Sequence, residues 1–307
     1  MQDRYFYPKI QAFTRVSALK QLVFMTVLHS LEALSQWQQK SGWHHKRGGF
    51  VPTMGALHEG HLALIRRAKA SSDLVVVSVL VNPTQFNDST DFQAYPRTLE
   101  TDAALAERAG ADAVFAPTPE DLYGGTPSAQ PVDWGSLTHS FEGEHRPGHF
   151  DGVVAVVDLL FSSVRPKLAV FGEKDLQQVA VVRRLAQERH PDVEVCVGSL
   201  VRDENGLALS SRNARLAADK KAVALELHRS LVKIQEAWRN DSGDVMQALD
   251  EARTTLSLHP EIVFEYLDIV DGDTFESIAK SGVRVTHAVV AAHVEGVRLI
   301  DNVPLRT

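Results

Sequence analysis

The 307-residue chain has a single cysteine, Cys196, so no internal disulfide is possible and a small secreted scaffold stapled by cystines is excluded. This suits a reducing cytoplasm. Cys196 lies in VEVCVG, which reads as a buried strand, and no histidine flanks it to activate the thiol, so a small core residue is expected. Long apolar runs are also missing. The longest near the N-terminus, LVFMTVL, is preceded by Lys20 and Gln21 and falls far short of a membrane span. Positive charge is in deficit: a net charge of -7 and a pI near 6.0 give no general attraction to phosphate backbones or anionic lipid. Nucleic acid and membrane are therefore set aside as partners. Internal repeats and low-complexity segments are absent.

What remains is 44% hydrophobic and 23% charged, enough to bury a substantial core and to divide into two domains. Residues 1–21 carry Arg4, Lys9, Arg15 and Lys20 against Asp3, a faint leader-like bias, but no small-residue cleavage pattern follows. Residues 1–24 are expected to be a loose extension, with folded structure starting near Met25.

From Gly48 onward apolar runs alternate with helical patterns. FVPTM, DLVVVSVLVN, ADAVFAP, LAVFG and VEVCVG read as strands; HLALIRRAKAS, RTLETDAALAERAG (ending at Gly110) and DLQQVAVVRRLAQERH read as helices. Strands apolar at nearly every position are covered on both faces, which predicts an α/β fold with a doubly wound parallel sheet over residues 25–199. After Ser199 the texture changes. VRDENGLALSSRNARLA is turn-rich, amphipathic helices run from Ala217 to Leu258, and EIVFEYLDIVD and VRVTHAVVAAHVEGVRLID read as strands, the latter a hairpin turning at Glu295-Gly296. Residues 200–307 are expected to form a smaller α+β domain.

In doubly wound sheets ligands sit beyond the carboxyl ends of the strands, and the unusual polar residues follow strands here. PTMGALHEGH leaves the first strand. Its two histidines lie three apart with Gly60 between, whereas the zinc-protease pattern needs four. The alternative is an anion cradle: Gly55 and Gly60 let backbone approach closely, a helix N-terminus offers N–H groups, and His58 and His61 donate to phosphate oxygens. Ordinary helix caps are the plainer reading.

NPTQFND brings Asn82 and Gln85 to the sheet edge, as uncharged groups suited to a hydroxyl- and carboxylate-bearing molecule. In GEKDLQQ, Gly172 permits close approach, Lys174 neutralises phosphate, Asp175 accepts from ribose hydroxyls, and Gln178 lies on the same helical face. In LALSSRN, Ser210, Ser211 and Arg212 form a phosphate clamp or a helix cap. FEGEHRPGHFDG concentrates Glu142, Arg146 and His149 before a helix, either as further pocket groups or as a surface turn.

Taken together and in this order, PTMGALHEGH, NPTQF with YPRT, RPGHFDGV, GEKDLQQ and LSSRN resemble the pantothenate synthetase family from about Met25 onward. The resemblance implies a nucleotidyltransferase-type Rossmann-like fold, a cytoplasmic homodimer, and ATP-driven condensation of pantoate with β-alanine, with Mg²⁺, yielding AMP and pyrophosphate. Carried over, the family's ATP loop falls on Met54, Gly55, Ala56, Leu57, His58, Glu59, Gly60 and His61, with His61 as proton donor. Further ATP contacts fall on Gly172, Glu173, Lys174, Asp175, Val201, Leu209, Ser210, Ser211 and Arg212. Pantoate falls on Gln85 and Gln178, and β-alanine on Gln85. His58, Lys174 and Arg212 join His61 as expected catalytic groups, and Asp102 is the best candidate acid near the magnesium. Another adenylyl- or cytidylyltransferase, or a non-catalytic nucleotide binder, remain the alternatives.

Overall fold

Phe50 and Val51 sit side by side in the first long strand, both fully buried, yet they pack into different hydrophobic clusters. That is possible only where a sheet is covered on both faces. The computed structural model describes residues 25–240, 245–279, 282 and 284–305, so the expected extension at residues 1–24 lies outside the described residues.

Six parallel strands form the larger sheet: β1 (Val27–Leu28), β2 (Gly48–Thr53), β3 (Leu74–Val79), β4 (Ala113–Phe115), β5 (Leu168–Gly172) and β6 (Glu194–Gly198). Their order is β1-β4-β3-β2-β5-β6. The helices between them are α1 (Leu31–Ser41), α2 (Glu59–Ala70), α3 (Ser89–Ala94), α4 (Leu99–Ala109), α5 (Pro119–Tyr123), α6 (Ser136–His139), α7 (Glu142–His145), α8 (His149–Val164) and α9 (Leu176–Arg189). One face packs α2 and α4 through Ile65, Ala68 and Ala106; the other packs α8 and α9 through Val157, Phe161, Val181 and Leu185. As the pattern predicts, α4 stops at Gly110, whose φ of 103° gives a left-handed cap.

Two departures from the sequence reading have simple causes. Cys196 is half-buried, because β6 pairs only with β5 and is an edge strand. Arg67 on α2 lies over its sulfur, Nε to Sγ 3.1 Å. α2 also begins earlier than the apolar periodicity suggests, at Glu59, with His58 as its N-cap.

Beyond β6 come α10 (Ala218–Arg239), α11 (Val245–Leu258) and an antiparallel meander of β7 (Ile262–Val270), β8 (His287–Val294) and β9 (Val297–Pro304). A separate apolar cluster joins Leu231, Ile234, Leu249 and Leu256 to Ala288, Val290 and Leu299. The expected hairpin is present. Val294 pairs with Val297 across a two-residue turn in which Glu295 and Gly296 have φ of 52° and 74°, the conformation that matches the twist of the flanking strands.

Candidate functional site

The strand order reverses at β2, which has β3 on one side and β5 on the other. Crossovers leave in opposite directions there and a crevice opens beyond the carboxyl ends of the two strands. The segments that follow β2, β3, β5 and β6 converge on it.

Leaving β2, Gly55 and Ala56 both adopt positive φ, 84° and 50°. For alanine this is unfavourable, and Asp102 on α4 holds it in place. The Asp102 carboxylate accepts N–H bonds from Ala56 (3.1 Å) and Leu57 (2.8 Å) and the Thr98 hydroxyl (3.1 Å). It is 1% exposed. Asp102 therefore anchors the loop from behind and does not reach the cavity, so the expectation that it stands near a metal is corrected: both its oxygens are engaged by the loop.

The loop delivers two imidazoles whose rings lie 4.1 Å apart. His61 Nδ1 accepts the backbone N–H of His58 at 3.3 Å. The ring proton of neutral His61 is thereby assigned to Nε2, leaving that N–H as a donor. Burial is the main reason the His61 pKa is pushed down to about 3, with His58 and Lys174 adding to it. Burial lowers His58 too, again reinforced by Lys174. A Cβ at Gly60 would fall 2.9 Å from His58 Cε1, so a larger residue there would push that ring aside.

After β3, a tight 3₁₀ turn at Pro83–Gln85 presents the amides. Buried Asn82 donates to Gln85 Oε1 (3.2 Å) and Gly152 O (3.1 Å), and accepts from Thr84 and Tyr123. This fixes the Gln85 amide with its NH₂ towards Met54 Sδ, 3.0 Å away. α8 touches this turn at Gly152, where a Cβ would fall 2.2 Å from Thr84 O. His149, buried and with its pKa pushed down to about 3 mainly by desolvation, donates from Nδ1 to Gln85 O at 2.8 Å.

After β5, a 3₁₀ turn at Glu173–Asp175 carries Lys174 and Asp175, and α9 brings Gln178. After β6, Leu209 N–H bonds Val201 O (3.0 Å) and places Ser210, Ser211 and Arg212 opposite. Ser211 meets the Tyr95 hydroxyl at 3.3 Å. Arg212 is not an open clamp, since its guanidinium meets Asp91 at 2.8 Å and Arg215 takes the other Asp91 oxygen at 2.9 Å.

These segments enclose a cavity of about 200 Å³ walled by Met54, His58, Gly60, His61, Gln85, Gly172, Lys174, Asp175, Gln178, Val201, Leu209, Ser210, Ser211 and Arg212. It adjoins a second cavity of about 310 Å³ that shares Lys174, Asp175, Ser210 and Arg212 and reaches the meander. Five residues of the sequence-derived set stand off the wall. Gly55, Ala56 and Leu57 form the back of the loop; Glu59 pairs with Arg66 on the outside. Glu173 turns away to accept Leu200 N–H at 3.2 Å, close to His287.

Sequence reasoning missed Thr53, Tyr95 and an apolar wall of Leu64, Val153, Val157 and Phe171. Apolar side chains facing a cavity and those facing the core look alike in a sequence; Thr53 of PTMGALHEGH, Tyr95 of YPRT and Val153 of RPGHFDGV stood inside motifs, whereas Leu64, Val157 and Phe171 carried no signal. The FEGEHRPGHFDG alternatives resolve to neither extreme. Glu142 is 6% exposed and gripped by Arg298 through two bonds (2.8 and 2.7 Å), by Tyr266 (2.7 Å) and by Arg146 (3.3 Å). These contacts outweigh its burial and hold its carboxyl far below the usual range.

A sequence model of the pantoate–β-alanine ligase family matches residues 26–304. The pantothenate synthetase of Cytophaga hutchinsonii is 46% identical over 83% of this chain and 90% of its own length. A crystal structure of pantothenate synthetase from Thermus thermophilus superposes with a TM-score of 0.84 at 40% identity, covering 92% of this chain and 100% of that one. The pantoate–β-alanine ligase of Francisella tularensis, complexed with beta-gamma ATP and beta-alanine, superposes with a TM-score of 0.72 at 30% identity, over 92% of this chain and 98% of that one. With its doubly wound sheet, its crevice at the switch point and relatives matching almost end to end, this chain belongs to the pantoate–β-alanine ligase family.

Proposed function

We propose that the cavity binds ATP and pantoate side by side and joins pantoate to β-alanine through a pantoyl adenylate. A carboxylate is a poor acyl donor because its oxygen does not leave. A pantoate carboxylate oxygen therefore attacks the α-phosphorus of ATP, the bond to the β-phosphate breaks, and pyrophosphate departs. The β-alanine amine then attacks the acyl carbon, loses a proton, and AMP leaves with the former carboxylate oxygen. Neither step needs a protein nucleophile; both need positioning and neutralisation of charge.

One observation carries the reading: charge-matching donors and neutral amides share a single cavity. The His61 Nε2–H, His58, Lys174, Arg212 and the Ser210 and Ser211 hydroxyls are assigned to the phosphates, and Gln85 and Gln178 to the hydroxyl and carboxylate groups of pantoate, with the amine arriving near Gln85. The wall of Leu64, Val153, Val157 and Phe171 suits the aliphatic part of pantoate. Neutral His61 stabilises developing charge by a hydrogen bond and requires no imidazolium.

For Mg²⁺, the described residues contain no cluster of three or more His, Cys, Asp or Glu side chains. A magnesium ion carried by a triphosphate takes most of its ligands from phosphate and water and needs only one or two carboxylates. Asp175, the acid on the cavity wall, fits that need, and the ion would supply charge neutralisation at the phosphates. Residues 200–307 are proposed to act as a smaller domain closing the site from the Ser210–Arg212 side.

The test is AMP formation with ATP and pantoate in the presence and absence of β-alanine. AMP that accumulates only with β-alanine, with pantothenate as co-product, is the expected result. Nucleotide transfer indifferent to β-alanine would assign the cavity to an adenylyl- or cytidylyltransferase, whose phosphorylated substrate calls for cations where Gln85 and Gln178 stand.

A further inference from the structure

Lys174 is central to the proposed chemistry, yet the turn that carries it is short, and part of what holds it comes from the far end of the chain. Alternate residues of a strand face opposite ways, so Arg298, Ile300 and Asn302 of β9 share one face and Asp301 takes the other. Asn302 is 3% exposed. Its Nδ2 donates to Glu173 O at 2.9 Å and to Lys174 O at 3.1 Å. Both amide protons are spent on this one turn, whereas Oδ1 is buried with no partner among the described residues. An unmet buried acceptor is costly, and the two donated bonds are what the position gains in return.

We propose that Asn302 is a positioning residue for Lys174: from the meander it fixes the Glu173–Lys174 backbone, so that the ammonium group meets the phosphate chain. The proposal rests on the assignment of Lys174 to the phosphates. Its neighbour supports it from the opposite face. Asp301 grips Arg202 through two bonds (2.7 and 2.9 Å), and Arg202 also bonds Gly206 O and Asn302 O, each at 3.1 Å. Arg202 begins the segment that ends at Leu209, while Glu173 bonds Leu200 just before it. Two successive residues of one strand thus hold the Lys174 turn and the Leu200–Leu209 wall in register, a more rigid support than the loops would give each other.

The test is a double-mutant cycle on pantoate-dependent pyrophosphate release, using the full chain as wild type, Asn302→Ala, Lys174→Ala and the pair. Asn302→Ala should lower kcat by about tenfold to a hundredfold, with the KM for pantoate changed less than about twofold because Gln85 and Gln178 are untouched. In the Lys174→Ala background the same substitution should cost less than about twofold. Asn302→Thr, which keeps one donor, should fall between wild type and Asn302→Ala. Equal losses in both backgrounds, or a wild-type kcat in Asn302→Ala, would overturn the proposal. So would thermal melts showing that both Asn302 variants are unfolded at the assay temperature, since the residue would then serve the fold and not Lys174. An inactive wild type, or a Lys174→Ala protein with full activity, would instead remove the underlying assignment of the cavity.

Discussion

Polar groups at the carboxyl edge of the parallel sheet and those where the meander meets that sheet obey different rules. At the junction charges are matched: Arg298 bridges Glu142 and Glu265, Arg202 grips Asp301, and Tyr266 and Arg146 complete the shell around Glu142. In the cavity the groups are held by one or two contacts and left with capacity to spare. His61 keeps its Nε2–H, and Lys174 stands 4.0 Å from Asp175. Matched charges build a support; donors with a proton to spare remain available to a ligand.

This contrast is open to direct attack. The largest effect belongs to the junction. Glu142→Ala leaves Arg146 buried without its carboxylate and Arg298 with Glu265 alone, and is expected to cost about 3–5 kcal/mol of stability, read by chemical denaturation. A variant as stable as wild type would dissolve the distinction. Next comes the cavity: His61→Ala should lose about 10²–10³ in kcat while its melting temperature stays close to wild type, and a protein that melts early would place His61 among the supports.

Acidification separates the two regions by window. His61 and His149 have folded pKa values of about 3 against an ordinary 6.5, so between these limits the unfolded chain binds protons that the native one refuses. Their contribution is intact above pH 6.5 and declines as pH falls towards 3, by about 1.4 kcal/mol per group per pH unit. Glu142 is depressed below its ordinary 4.5, so its contribution is present above that value and is lost only below it. Melting temperatures should therefore drop from pH 6.5 downward and more steeply below 4.5, and a flat profile to pH 5 would show that the histidines are not held neutral. The smallest effect is expected at Arg215→Ala, a partly exposed partner of Asp91: at most about 1 kcal/mol and no change in kcat. A large rate loss there would mark the Asp91 bridge as part of the reacting site.

The sequence made the parallel sheet legible because five strands were apolar at nearly every position and alternated with helices. The cavity's polar segments were legible because they fell just after those strands. Other features depend on pairings between distant parts of the chain. Nothing local in FEGEH announces that Glu142 meets Arg298, and nothing in LIDN announces that Asn302 meets Glu173. Cys196 misled because an edge strand and a central one share the same apolar composition. Asp102 and Glu173 misled in a more instructive way: each has the right chemistry and stands beside the right loop, but the Asp102 oxygens face the loop's own amides and those of Glu173 face Leu200 N–H and the His287 ring, not the cavity.

The pairing of β2 with β5, Gly49 beside Leu168 and Phe50 beside Ala169, has a consequence in time. Everything from α2 to α8 is synthesised between these neighbours, and joining them requires closing that whole loop, which is slow relative to local contacts. A nascent chain can thus assemble β2, β3 and β4 early, yet the crevice has no second bank until β5 emerges. The enzyme's working edge is among the last parts of the sheet to exist.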